Sequence, residues 1–372
     1  MPKVTLGEVA AESKETCKGD KSGYPVVGLE HITPGDITLT NWAENDENTF
    51  TKLFRKGDML FGRRRAYLKK AAVAPFDGIC SGDITVIRAL PDKIVPELLP
   101  FIIQSEDFFD FAVGRSAGSL SPRVKWEHLK TYSFTLPSLE KQRELAEVLW
   151  AIEDTRTAYQ RLEQATDELV KARFIEMFGA GKFPDVNIDE VCSDIVDCPH
   201  TTPKYQGKLL YPAIRTNEIK PGYIDWSTMK YVSIEEYEKR IARLTPIAGD
   251  IVYGREGTYG NAAILPEGYN FCLGQRVMLF RVNRYKCLPE YLLYALTSDD
   301  VKKQADSKNT GSTVPHVNVA DARKFTISLP PLDLQNQFAA FVEQVDKSKL
   351  AVQSMLEKNA VMKAAAMREW LG

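Results

Sequence analysis

Short apolar runs alternating with turns fill most of the chain, and two long stretches of different character interrupt them. DMLFG, ITVIRAL, DIVYG and VMLFRV read as β-strands bounded by Gly, Asp and Pro. PELLPFIIQSEDFFDFAVG and PEYLLYALTSDDVKKQAD read as helical patches, each opening on Pro-Glu, a favourable first turn. The expected domain type is mixed α+β. From Leu139 to Phe178 there is no Pro or Gly, and the run ends at Gly179. Apolar residues recur there at Leu145, Val148, Ile152, Tyr159, Leu162 and Leu169. A second stretch, from about Leu332 to Leu371, carries Phe338, Phe341, Val345, Val352, Met355 and Met362 in the same heptad phase. This predicts a coiled-coil seam over two long helices. Each would be roughly 60 Å long at a rise of 1.5 Å per residue. Thr166 and Asn359 fall at matching seam positions, where a polar residue fixes register. The alternative is two unrelated surface helices, each on its own domain. Matched phase favours mutual pairing.

That phase match is part of a larger internal repeat. FTLPSLEKQRELAEVL in the first half answers ISLPPLDLQNQFAAFV in the second. Leu136 aligns with Leu329, Pro137 with Pro330, Gln142 with Gln335 and Ala146 with Ala339, all at an offset of 193. GSLSPRV (118–124) aligns with GSTVPHV (311–317) at the same offset, and KGDMLFGRRRAYLKKAA (56–72) with AGDIVYGREGTYGNAA (248–263) at 192. VTLGEV (4–9) matches VNIDEV (186–191) at 182. The drift is what loop insertions cause. A unit of about 190 residues is too long for a solenoid repeat and reads as two homologous halves. The expected boundaries are domains at 1–137 and 181–330, with helices at 138–180 and 331–372.

Composition adds class. The 372 residues are 44% hydrophobic and 26% charged, which is ordinary globular usage and enough to bury real cores. No apolar run reaches the roughly 18 residues of a membrane span, and MPKVTLGEVA lacks the apolar core of a signal peptide. A soluble, cytoplasmic protein without membrane contact is expected. Six cysteines are too few for a disulfide scaffold of this size, so reduced thiols are expected. The net charge of −2 neither demands nor excludes DNA; any basic surface must be local.

Several chemistries lack their motifs. There is no GxxxxGK[ST] or HExxH, and no methyltransferase Asn/Asp-Pro-Pro-aromatic tetrapeptide. Cys192, Cys198 and His200 have no common zinc spacing and no evident fourth ligand, so no metal is expected. A buried Cys192 and a loop at Cys198 is the simpler reading. The basic run is FRKGDMLFGRRRAYLKK (54–70), with seven Lys or Arg against one acid. A turn after a strand would present Arg63, Arg64 and Arg65 together, beside Tyr67. Arginine bridges guanine O6 and N7 or pairs with phosphate. A solvated charged loop is the competing reading. Recurrence of Arg-x-x-x-Tyr as Arg255 and Tyr259 favours function. The Gly-Ser pairs before proline, with Ser119 in one half and Ser312-Thr313 in the other, let a backbone approach a ligand closely. Arg123 and His316 follow the proline in each copy. Simple turns into the last strand would also explain them.

The repeated Gly-Ser-x-x-Pro loop, the Leu-Pro-x-Leu-x-x-Gln step and the long helix together resemble the specificity subunit of a type I restriction–modification system. The resemblance covers the whole chain. DCPHTTP (197–203), with His200 and Thr202, resembles the opening segment of that family's target recognition domains. YGREGTYGN resembles its Arg-x-Gly-x-x-Gly segment. The first copy departs from it, with Arg65 and Leu68 in place of Gly257 and Gly260 and no match for His200. The resemblance implies two homologous recognition domains, each reading half of a bipartite site in double-stranded DNA. It implies an antiparallel helix pair that sets the spacer and docks two copies of a methyltransferase subunit. It also implies a motor–nuclease restriction subunit as partner, and no active site or cofactor on this chain. S-adenosylmethionine, and ATP and Mg for restriction, would sit on the partners. The rival from another class is a two-domain interaction scaffold that binds protein rather than DNA.

Overall fold

The computed structural model describes residues 2–44, 49–179, 183–208, 210–256, 259–308 and 316–371. The chain divides into two compact units, Met1–Arg161 with Gln353–Gly372, and Leu162–Val352. The first contains strands β1 (Ala10–Glu12), β2 (Met59–Gly62), β3 (Ala71–Val73) and β4 (Ile84–Ala89), an antiparallel sheet ordered β1-β4-β2-β3. The second contains β5 (Cys192–Asp197), β6 (Ile251–Gly254), β7 (Ala262–Ile264) and β8 (Val277–Val282), ordered β5-β8-β6-β7. Order and register are the same: Gly62 pairs with Ile84, and Gly254 with Val277.

The central strands are apolar at almost every position because both faces of each sheet are covered. Met59 and Phe61 enter one core cluster while Leu60 enters another. Ile251 and Tyr253 separate from Val252 in the same way. This is the period of two expected when successive side chains leave opposite faces. Each unit adds a smaller sheet built on a parallel pair, Val26–Val27 with Gly78–Cys80 and Ala213-Ile214 with Cys272–Leu273. Its first and last strands also pair, Lys3–Thr5 with Ser133–Thr135 and Asp185–Asn187 with Thr326–Ser328. That pairing returns the end of each sheet region to its start.

Both expected helical patches are present. Each is broken in two, as Leu99–Ile103 and Glu106–Gly114, and as Pro289–Leu296 and Asp299–Lys308. The breaks fall at Ser105 and Ser298. Ser105 Oγ accepts from Phe108 N at 3.2 Å and Ser298 Oγ from Val301 N at 3.4 Å. A serine that satisfies the first free N–H groups of the next helix starts a new helix rather than continuing the old one.

The long helices α1 (Leu139–Phe178) and α2 (Leu332–Leu371) pack antiparallel. In the first unit Asn359 Nδ2 donates to Ile152 O at 3.0 Å, and Lys363 Nζ reaches Glu153 Oε2 at 3.2 Å. In the second, the rings of Phe174 and Phe338 lie 5.5 Å apart and Lys349 pairs with Asp167. Residue numbers thus fall along one helix as they rise along the other.

The seam itself corrects the expectation. Burial on α1 follows positions 142, 145, 149, 152, 156, 159, 163, 166 and 170. On α2 it follows 335, 338, 342, 345, 349, 352, 356 and 359. Steps of three and four alternate throughout. Leu145, Ile152, Tyr159, Phe338, Val345 and Val352 lie in this seam. Val148, Leu162 and Leu169 do not; they are 51, 50 and 54% exposed. Met355 and Met362 are also exposed, at 42 and 59%. Phe341 is half-buried beside the seam. In every case the true seam residue is the next one: Leu149, Glu163, Val170, Val342, Leu356 and Lys363. The cause is polar seam residues. Arg156, Lys349 and Lys363 are charged, and each is matched by a carboxylate, so apolar character alone selects the neighbouring solvent-facing column.

The two columns separate cleanly by mutation. Leu149→Ala should cost about 2–5 kcal/mol of unfolding free energy, as core truncations do. Val148→Ala should stay within about 0.5 kcal/mol. Urea unfolding of both variants measures this, and equal losses would return Val148 to the seam.

Candidate nucleic-acid interface

Strands β2 and β6 both end on glycine, and an arginine follows each. The same backbone frame receives them. Arg63 N donates to Asp83 O and Arg255 N to Arg276 O, each at 2.9 Å. Val124 N donates to Arg63 O and Val317 N to Arg255 O, again at 2.9 Å. Single β-bridges join Arg64 to Arg123 and Glu256 to His316. The frame therefore makes Arg63 equivalent to Arg255, Arg64 to Glu256, Asp83 to Arg276 and Arg123 to His316.

At the first tip, Asp83 gathers the arginines. Arg123 Nε donates to Asp83 Oδ1 at 2.9 Å and Arg64 Nη1 to Oδ2 at 3.3 Å. Arg64 Nε donates to Ser121 Oγ at 2.6 Å. Burial pushes the Asp83 carboxyl up, but Arg123 and Arg64 beside it hold it below its ordinary 3.8. Arg65 and Lys69 flank a short turn in left-handed backbone, φ 53° and 51°. The turn projects Tyr67, which is 52% exposed. Ser119 lies on the exposed loop after Gly118, whose φ of 114° needs a glycine. It is Ser121, not Ser119, that meets an arginine.

At the second tip Asp197 takes the gathering role from a different strand, β5. Arg255 Nη1 pairs with Asp197 Oδ2, and His200 Nε2 lies 3.3 Å from the same oxygen. Thr202 Oγ1 accepts from Gln275 Nε2 at 2.9 Å. Arg276 Nε pairs with Glu256 Oε2 at 3.1 Å. A cavity of about 160 Å³ opens among Cys198, His200, Arg255, Glu256, Gln275 and Arg276. Buried Arg240, on the helix Ile234–Ile241, ties this region together. It donates to Leu273 O and Gly274 O at 2.9 Å and to Thr201 O at 2.6 Å. Tyr259 departs from Tyr67: it is half-buried against the core, and its hydroxyl meets Asp306. His316 is exposed. Ser312 and Thr313 lie outside the described residues.

The cysteines correct one reading. Cys198 is the buried member and Cys192 is only half-buried. Burial pushes the thiols of Cys272 and Cys287 up to about 12, and that of Cys198 upward. Among the described residues no three His, Cys, Asp or Glu side chains gather as a metal site.

Two physical features mark both tips. Arg63 Nε and Arg255 Nε are buried without a hydrogen-bond partner among the described residues. An unmatched buried donor costs about 1–3 kcal/mol. Among the described residues, the non-glycine residues at positive φ are Arg65, Lys69 and Arg276, all basic and all at the tips. Left-handed backbone costs such residues about 1–2 kcal/mol. Asp83, Asp197, Ser121, Glu256, Gln275, Arg276 and Arg240 were not in the sequence-derived set. The repeat carried a signal for two of them: an offset of 192 sets Glu256 against Arg64, and 193 sets Arg276 against Asp83.

The fold is thus a duplicated α+β unit with an arginine-bearing tip in each copy, together with a pair of long helices. Its family is shown by comparison. The chain belongs to the family described as "Type I restriction modification DNA specificity domain", whose model matches it twice, over residues 2–166 and 185–361. It is the DNA specificity subunit of a type I restriction–modification system, a non-catalytic component. It is 20% identical over 353 residues to a putative type I restriction enzyme MjaX specificity subunit of Methanocaldococcus jannaschii, covering 88% of this chain and 81% of that protein. It is 23% identical over 353 residues to the MjaVIII specificity subunit of the same organism, covering 87% and 79%. The S subunit of the type I system from M. genitalium has a similar fold, with a TM-score of 0.58 at 13% identity, covering 100% of this chain and 96% of that one. Among the described residues no helix is long and apolar enough to cross a membrane.

Asp83 gives the first tip a pH signature. A carboxyl whose folded pKa is depressed adds stability that is present above its ordinary value and lost as pH falls through the folded one. The urea midpoint of the protein should therefore exceed that of Asp83→Asn at pH 7. The gap should close as pH drops below 3.8. A constant gap from pH 7 to pH 3 would remove the ion pairs as its source.

Proposed function

We propose that residues 1–137 and 181–330 are two target recognition domains that read the two halves of a bipartite site in duplex DNA. One observation carries this reading: the same backbone frame occurs twice, each time holding an arginine with an unmatched donor, but with different neighbours. Equivalent frames with inequivalent side chains suit two different half-sites. In the first domain the contacts come from Arg63, Arg64, Arg65, Tyr67, Ser119 and Arg123. In the second they come from His200, Thr202, Arg255, Tyr259, Ser312, Thr313 and His316. Arginine is the base reader, serine and threonine hold phosphate, and tyrosine stacks or bonds to phosphate. The first domain is tested by exchange. Replacing residues 1–137 with the matching domain of another family member should change one half-site in the methylated adenines mapped across host DNA, and leave the other intact. A change in both half-sites defeats the modular reading.

The helices dock two copies of the methyltransferase subunit, and the restriction subunit joins that core. S-adenosylmethionine chemistry, and ATP with Mg for restriction, belong to those partners. Support comes from the exposed apolar column beside the seam. Leu162 and Leu169 on α1 recur as Met355 and Met362 on α2 at the repeat offset of 193. Two equivalent columns suit two equivalent partners. Leu162→Asp with Leu169→Asp should reduce the bound methyltransferase copies from two to one, read by native mass spectrometry, with the unfolding midpoint unchanged. Two copies retained on the double variant would remove this face as the dock.

A further inference from the structure

Arg276 occupies a place that its counterpart in the first unit fills with an acid. It immediately precedes β8 where Asp83 immediately precedes β4, and its ion pair with Glu256 stands where Asp83 pairs with Arg64. The pair is the same but its sign is reversed across the two strands. In each copy the outer member is the guanidinium and the inner member the carboxylate. Arg64 is 40% exposed against 22% for Asp83, and Arg276 61% against 29% for Glu256.

The backbone at Arg276 is held in an uncommon state. Its φ is 60°, a conformation that favours glycine. Its carbonyl accepts from Arg255 N at 2.9 Å and from Thr216 Oγ1 at 2.7 Å, so the strand start cannot relax. Its Nε pairs with Glu256 Oε2 at 3.1 Å, and its side chain is 61% exposed. The residue borders the cavity that His200, Arg255 and Gln275 also line. A strained, backbone-anchored arginine paired at one edge of its guanidinium is suited to selective recognition of a planar acceptor pair.

We infer that Arg276 is a further base-reading arginine of the second recognition domain, beside Arg255, taking the O6 and N7 acceptors of a guanine in the major groove, and that Glu256 positions it. This rests on the DNA-reading function proposed above.

The test uses the full chain assembled with its methyltransferase subunits. The wild-type site is first mapped from methylated adenines, and binding at fixed salt is then measured on that site and on a panel with each base pair replaced. Arg276→Gly, which suits the backbone, should weaken cognate binding about 5- to 150-fold. The loss should map to one G·C pair in one half-site: replacing that pair should harm the wild type and not the variant. Arg276→Lys should keep the charge and still lose the discrimination. Glu256→Gln should keep the preferred base but lower its discrimination. Unchanged discrimination at the other half-site shows that the variants are folded. An equal loss on every sequence in the panel, or no loss, overturns the assignment of Arg276. Full discrimination in Glu256→Gln overturns the positioning role. If the wild-type complex marks no bipartite site, it is the proposed function that fails; if the site maps and Arg276→Gly leaves it unaltered, only this inference does.

Discussion

A buried glutamine at the start of each long helix is the contact on which both halves depend. Gln142 Oε1 accepts from Val95 N at 2.9 Å, and its Nε2 donates to Pro137 O at 2.8 Å. Gln335 repeats this with Leu288 N and Pro330 O, both at 2.8 Å. Both side chains are almost wholly enclosed. An amide in that setting is satisfied on both ends or costs free energy on both. The clamp therefore fixes three things at once: the loop entering the helical patch, the Leu-Pro step that ends the sheet region, and the first turn of the helix. The direction in which each helix leaves its own unit follows from it. So does the sequence step Leu-Pro-x-Leu-x-x-Gln, because glutamine is the neutral residue whose one side chain both accepts and donates at that reach.

How much of this was legible depends on whether the signal was local. The strands Met59–Gly62 and Ile251–Gly254 and both long helices follow from period and punctuation, and the repeat was visible by alignment alone. The seam phase was not. Glu163 and Lys363 occupy seam positions that an apolar pattern skips, and their neighbours Leu162 and Met362 attract it. Seam charges are paid for by ion pairs such as Lys363 with Glu153, which lie far apart in sequence. The tips show the same limit. Arg63 and Arg255 follow from a recurring motif. Asp83 and Asp197 do not, because they arrive from neighbouring strands and gather the arginines through contacts 40 and 58 residues apart.

Those carboxylates also bear on the near-neutral charge of −2. Uncompensated arginines at each tip would bind any phosphate chain, and such binding carries no sequence information. An arginine tied at one edge by an acid loses part of that indiscriminate pull. It keeps a fork in fixed orientation, and little rotamer entropy remains to be lost on contact. Asp83 shared by Arg64 and Arg123, Asp197 shared by Arg255 and His200, and Glu256 on Arg276 all act in this direction. The balance favours discrimination over raw affinity. It suits a subunit whose task is choosing a site.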